Sequence, residues 1–143
     1  MNWLKYLLAV VISAIAMSLT DWLFFGILFH DKYNVYPEVW RASMGGGGEM
    51  RAIGISIAIG VFTCAVFLYS CIRLGLYTYG ETLKLAVWMW LTLAVPILVT
   101  NSLFMKLDPS IIVAHSIGWF ARLAIAAIVF CLVFRRHDAA ERA

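Results

Sequence analysis

A chain of 143 residues that is 64% hydrophobic and 13% charged, with a mean hydropathy of +0.90, cannot be a soluble domain. Soluble domains run near half apolar and a quarter charged, and a fold this small could not bury the surplus. The net charge of +3 is also too small and too scattered for a nucleic-acid partner, which needs a basic face or stripe.

Crossing a bilayer takes roughly 20 mostly apolar residues in a helix. Four segments qualify in chain order, Trp3–Phe29, Ala52–Ile72, Thr82–Phe104 and Ile111–Phe134. The expected fold is an all-α, integral membrane, four-helix antiparallel bundle forming a single domain over residues 1–143, with an outer loop over 30–51. Lys5 followed by an apolar run and Ala14-Ile15-Ala16 imitates a secretory leader. The apolar run continues well past that point, so the first segment reads as a retained span.

The loop after span one carries Val35-Tyr36-Pro37-Glu38-Val39-Trp40-Arg41, a mixture of aromatics and charge suited to the headgroup level. Gly45 to Gly48 read as a flexible joint after it. No Lys-Ser or Lys-Thr follows these glycines, so they do not form a phosphate-binding loop.

Span two is rich in small residues: Ala52, Ser56 and Gly60 recur every four positions, as do Gly54 and Ala58. Helices in lipid associate by close backbone approach, so this helix is expected to be the main packing element, with any surplus face open to oligomerisation. Ala9-Ser13 and Ala14-Ser18 in span one and Ala114-Gly118 in span four offer the same spacing. Cys64, Cys71 and Cys131 sit inside apolar runs and read as small core residues rather than a disulfide framework. In span three, Pro96 should bend the helix and free a carbonyl near its middle.

An even number of spans puts both termini on one side. That side holds Lys5, Arg73, Lys84, Arg135, Arg136 and Arg142, against Lys32, Arg41, Arg51 and Lys106 opposite. The excess places the termini in the cytoplasm under the positive-inside rule, for a multi-pass protein of a plasma (inner) membrane.

Depth follows from the helical rise of about 1.5 Å per residue. Asp21 then lies roughly 7 Å to the outer side of its span's midpoint, Asn101 and His115 about 10 Å, and Arg122 close to the centre. Asp21, Asn101, His115 and Arg122 are therefore expected in one polar layer of the outer half-membrane. His115, Gly118 and Arg122 share one face of span four by their i, i+3, i+7 spacing. An unpaired Asp or Arg at mid-span costs about 2.5–3.5 kcal/mol, so Asp21 and Arg122 should face inward and meet. His115 is the group able to change charge near neutral pH. His30 and Asp31 are outer-end contributors at most. Two histidines and a carboxylate without tight spacing make no metal site, and no nucleophile motif or cofactor signature is present.

Several stretches resemble a known family. These are Asn2-Trp3-Leu4, the segment Asp21-Trp22-Leu23-Phe24-Phe25-Gly26-Ile27-Leu28-Phe29, the Tyr33…Trp40 loop, Trp88 and Trp90, Asn101-Ser102-Leu103-Phe104, and Gly118-Trp119. Together they are similar to the short bacterial four-span membrane proteins classed as domain of unknown function 1761. The resemblance covers nearly the whole chain and implies a topology without an activity.

Three functions fit this reading. The first is movement of a small solute or ion by an oligomer, with the polar layer lining the path. The second is an accessory subunit of a larger membrane complex, and the third a membrane enzyme acting on lipids with His30 or His115 as acid/base. The residues favour a non-enzymatic protein whose surroundings are the lipid bilayer and further copies or subunits.

Overall fold

The computed structural model describes residues 2–34, 47–105 and 108–141, with side chains over 2–32, 50–105 and 108–134. The aromatic loop Val35–Arg41, Gly45, Gly46, Lys106 and Arg142 lie outside the described residues, as do the side chains of Arg135, Arg136 and His137.

Helix α1 covers Trp3–Asp21 and starts at Asn2, whose side-chain oxygen accepts the Lys5 amide at 3.2 Å. Such a cap satisfies one of the donors a helix start leaves open. The helix continues as a π-helical stretch over Trp22–Leu28, closed by the Phe29 amide on the Phe24 carbonyl at 2.9 Å, and then a 3-10 turn over His30–Asn34. Helix α2 runs Gly47–Leu74, so the expected joint is already helical at Gly47 and Gly48.

Gly75, at φ +68°, ends α2. Its amide bonds the Ile72 carbonyl at 3.2 Å and the Leu76 amide reaches Cys71 at 2.9 Å, the paired bonds of a Schellman motif. Thr78 and Glu81 then cap α3 (Tyr79–Met89) reciprocally, the Thr-x-x-Glu capping box. A π-helical stretch over Trp90–Ala94 links α3 to α4, Val95–Phe104. Pro96 stands in the first turn of α4, where its missing amide and its ring are tolerated. The widened turn therefore lies just ahead of the proline. Helix α5 spans Pro109–Glu141. Asp108 precedes it and accepts both the Ser110 amide at 2.8 Å and the Ser110 hydroxyl, which hold its carboxyl below the usual carboxylate range.

Four helical stretches, Trp3–Leu28, Met50–Leu74, Tyr79–Phe104 and Pro109–Phe134, are long and apolar enough to cross a membrane. The protein is thus an all-α, four-span membrane protein with successive spans antiparallel. Its hub is α5, which packs against α1, α2, α3 and α4, while α1 also packs on α2. Close approach is made possible by small residues. Ala9 and Ser13 of α1, Ala86 of α3, and Ala114, Ala126 and Ala127 of α5 are all buried.

Helix α2 does not pack as its small residues suggest. Its buried stripe is Cys64, Phe67, Leu68 and Cys71, spaced i, i+3, i+4, i+7 and confined to the second half. Residues Arg51–Ile59 are exposed on every side, Ala52, Gly54, Ser56 and Ala58 among them. A Cβ added at Gly54 or Gly60 would meet nothing within 4 Å. Small side chains permit a neighbour to approach but do not supply one, and the larger Phe67 and Leu68 gain more from contact with α1 and α5.

Gly75 is the position where backbone geometry most restricts the residue, because a Cβ in the left-handed region costs about 1–2 kcal/mol. Gly75→Ala should lower stability by about that amount in a denaturant titration in mixed micelles. An unchanged midpoint would contradict the cap.

Candidate functional site

Two charged side chains meet between α1 and α5. Arg122 Nε donates to Asp21 Oδ1 at 2.8 Å and Arg122 Nη2 donates to Asp21 Oδ2 at 2.5 Å, a two-pronged pairing. Planar guanidinium and carboxylate groups match each other in this way, fixing orientation as well as distance.

The helices bring the two groups together across a difference in depth. Asp21 sits about 8 Å from the midpoint of Trp3–Leu28, whereas Arg122 sits at the midpoint of Pro109–Phe134. Side chains on a helix lean toward its N-terminus. Because α1 and α5 run in opposite directions, Asp21 leans back toward the centre and Arg122 leans up to it. The length of the arginine side chain covers the rest.

Both groups lie inside the bundle but are not sealed off, with Arg122 12% and Asp21 30% exposed. The ring of Trp119, one turn before Arg122, lies under the guanidinium, whose carbon is 4.7 Å from the ring centroid. This cation–π contact adds to the hold that Asp21 has on the edge of the guanidinium. On α1, Asp21 continues the inward stripe of Ala9, Ser13 and Met17, and Met17 Sδ meets Cys64 Sγ of α2.

The two π-helical stretches flank the same part of α5. From the first, Phe25 stacks on His115 with centroids 4.4 Å apart and presses against Gly118, where an added Cβ would stand 3.3 Å from the Phe25 ring. From the second, Trp90 donates its indole N–H to the Ser116 carbonyl at 2.9 Å and packs on Phe120 at 5.4 Å. A widened turn redirects the side chains beyond it, and such turns are frequent at functional sites. Here they bring an aromatic ring to each side of the His115–Arg122 segment.

The remaining sequence-derived candidates stand apart from the pair. Asn101, expected in the polar layer, is exposed on α4. The helical rise sets its depth but not its direction around the axis, because the π-helical turn at Trp90–Ala94 rotates everything downstream. His115 is half-buried against Phe25, about 10 Å along α5 from Arg122. His30 and Asp31 are exposed in the 3-10 turn beyond span one. No group of three or more potential metal ligands occurs among the described residues.

Phe25, Trp90 and Trp119 were not assigned to the site from the sequence. For Trp90 a signal existed, since an indole N–H inside a span calls for a hydrogen-bond acceptor, and for Trp119 a weaker one, since its ring lies within a turn of a buried arginine and can stack on the cation. For Phe25 there was only its place four residues after Asp21.

The family described as protein of unknown function (DUF1761) matches residues 8–131, which takes in Asp21, both π-helical stretches and Arg122. The chain belongs to that family. No curated protein and no solved structure matches it. Membership in DUF1761 therefore brings a shared chain plan and no assigned chemistry.

Gly118 carries the fit between α5 and the first π-helical stretch. Gly118→Leu should push Phe25 off His115 and cost about 1–3 kcal/mol, the usual penalty for overpacking. Thermal unfolding in detergent would measure it, and wild-type stability in the variant would contradict the close approach.

Proposed function

We propose that this DUF1761 protein moves a small solute or ion across a plasma membrane, with Asp21 and Arg122 as the residues that engage the cargo and with several copies in the working assembly. The supporting observation is the pair itself, two opposite charges at the level of the hydrocarbon and partly accessible at Asp21. Ionisable residues at that depth are expensive, and function is the usual reason for keeping them. The two π-helical stretches on either side add to the same reading. Several copies belong to the proposal because four spans enclose little space, and the grooves lined by Leu93, Ile97 and Trp119 and by Val11, Ile15 and Ile57 open outward from the bundle.

A second reading draws on a different observation. The exposed first half of α2 suits an accessory subunit that docks on a larger complex, in which case the ion pair only fixes α1 against α5. Nothing in the geometry adds to the lipid-enzyme alternative, since His30 is exposed and His115 is stacked on Phe25.

Flux in proteoliposomes separates the first two readings. With protein present, a pH or ion gradient should collapse faster than in empty vesicles, and Asp21→Asn should return the rate to background while the protein remains helical by circular dichroism. Equal rates for wild type, variant and empty vesicles across the common ions would reject transport. Co-purification of a stoichiometric partner in mild detergent would then favour the subunit reading.

A further inference from the structure

Two partly buried tryptophans differ at the indole nitrogen. Trp90 Nε1 donates to the Ser116 carbonyl at 2.9 Å, whereas Trp119 Nε1 has no hydrogen-bond partner among the described residues. Trp119 sits about 4 Å from the midpoint of Pro109–Phe134, deep in the hydrocarbon. A donor left unmet at that depth bears the cost of leaving water without a replacement. The Arg122 cation over the same ring draws electron density from the indole and makes its N–H a better donor.

Trp119 is also part of the wall of a groove of about 260 Å³ between α2 and the third span, with α5 as its floor. The groove exists because those two spans make little contact with each other. Thr63, Met89, Leu93, Ile97 and Leu123 are among the other residues that line it. The Thr63 hydroxyl is spent on the Ile59 carbonyl at 2.9 Å. Among the described lining residues, the Trp119 N–H is therefore the one uncommitted side-chain donor. An aliphatic cavity of about 150 Å³ takes up benzene, so this groove suits a somewhat larger ring system.

Depth selects the chemistry of the ligand. The ester carbonyls of ordinary phospholipids stand at the edge of the hydrocarbon, about 15 Å from its centre. Acyl chains entering the groove therefore bring methylene groups and no acceptor. None of the described lining residues is charged, so an ionic head would be stranded there. What fits is an uncharged, flat, apolar molecule that carries a carbonyl on its ring.

We propose that this groove binds the ring of a lipophilic quinone, with Trp119 Nε1 donating to a ring carbonyl and Leu93, Ile97 and Leu123 packed around the ring. The site goes beyond the transport reading and does not depend on it. The ligand meets neither Asp21 nor Arg122, and binding moves no proton and no electron.

The test uses the full chain, with its tryptophans labelled with heavy nitrogen, in nanodiscs of phosphatidylcholine. The probe is a decyl-substituted naphthoquinone. Decylnaphthalene, with the same tail and ring system but no carbonyl, is the control. The indole N–H resonance of Trp119, identified by its loss in Trp119→Phe, should move downfield saturably as quinone is added. That of Trp90, already bonded to Ser116, should stay in place. The hydrocarbon should bind at least about tenfold more weakly, the worth of about one hydrogen bond.

Trp119→Phe should bind the two probes equally. If that variant does not fold, Thr63→Phe decides, because it fills the groove from the α2 side and leaves the Trp119–Arg122 contact alone. It should abolish the saturable shift of the Trp119 resonance. Equal binding of the two probes by the wild type, or an undiminished shift in Thr63→Phe, would overturn the proposal. So would a Trp119 resonance that follows the protein-to-lipid ratio and ignores the quinone, since a second copy of the chain would then cover the groove.

Discussion

A charge in hydrocarbon has two ways to lower its energy: reach the headgroups or find a counter-charge. Arg122 stands at the middle of its span, too deep to reach either surface easily, so Asp21 must come to it. Much of the molecule depends on that requirement. Span one and span four must be neighbours and antiparallel, so that their side chains lean toward each other. The faces carrying Asp21 and Arg122 must look inward, which turns Ala9, Ser13 and Met17 into the contact stripe of α1. Aromatic groups then add to what a single carboxylate supplies, with the cation over the ring of Trp119.

Around this contact the bundle is uneven. Helix α5 touches every other span, while α2 and the third span scarcely meet, so one side of the molecule has a groove instead of a seam. The first half of α2 stands clear of the bundle. In lipid this arrangement costs little, because a bare apolar helix is as well solvated by acyl chains as by another helix. The same arrangement would be untenable in water. It also means that the most closely packed part of the protein is α1, α5 and α3. The small-residue half of α2 retains surface for a neighbour.

The sequence specifies these features unequally. Spans are legible because length and hydropathy alone define them, and the four found differ from the expected limits by three residues at most. Family membership could be read from scattered aromatic and glycine motifs and is upheld over residues 8–131. The depths of Asp21 and Arg122 follow from a constant rise per residue, and the cost of burying charge then implies that they face each other. Azimuth is another matter. Each π-helical turn shifts the phase of the residues downstream, and no residue pattern announces it, so Asn101 could be given a depth but not a side. The same limit applies to α2: Ala52, Ser56 and Gly60 describe a surface that could be packed, while Cys64, Phe67, Leu68 and Cys71 are the ones that are.

The central claim is that Asp21 and Arg122 hold each other in the bilayer, and reversing the pair tests it most directly. Unfolding free energies in bicelles would be measured for wild type, Asp21→Arg, Arg122→Asp and the double exchange. Each single change leaves two like charges facing each other and should cost about 3–5 kcal/mol. The double exchange restores opposite charges at the same site and should recover at least about 1–2 kcal/mol of that loss as coupling. Single variants as stable as wild type, or a double variant whose losses simply add, would contradict the pairing of Asp21 with Arg122.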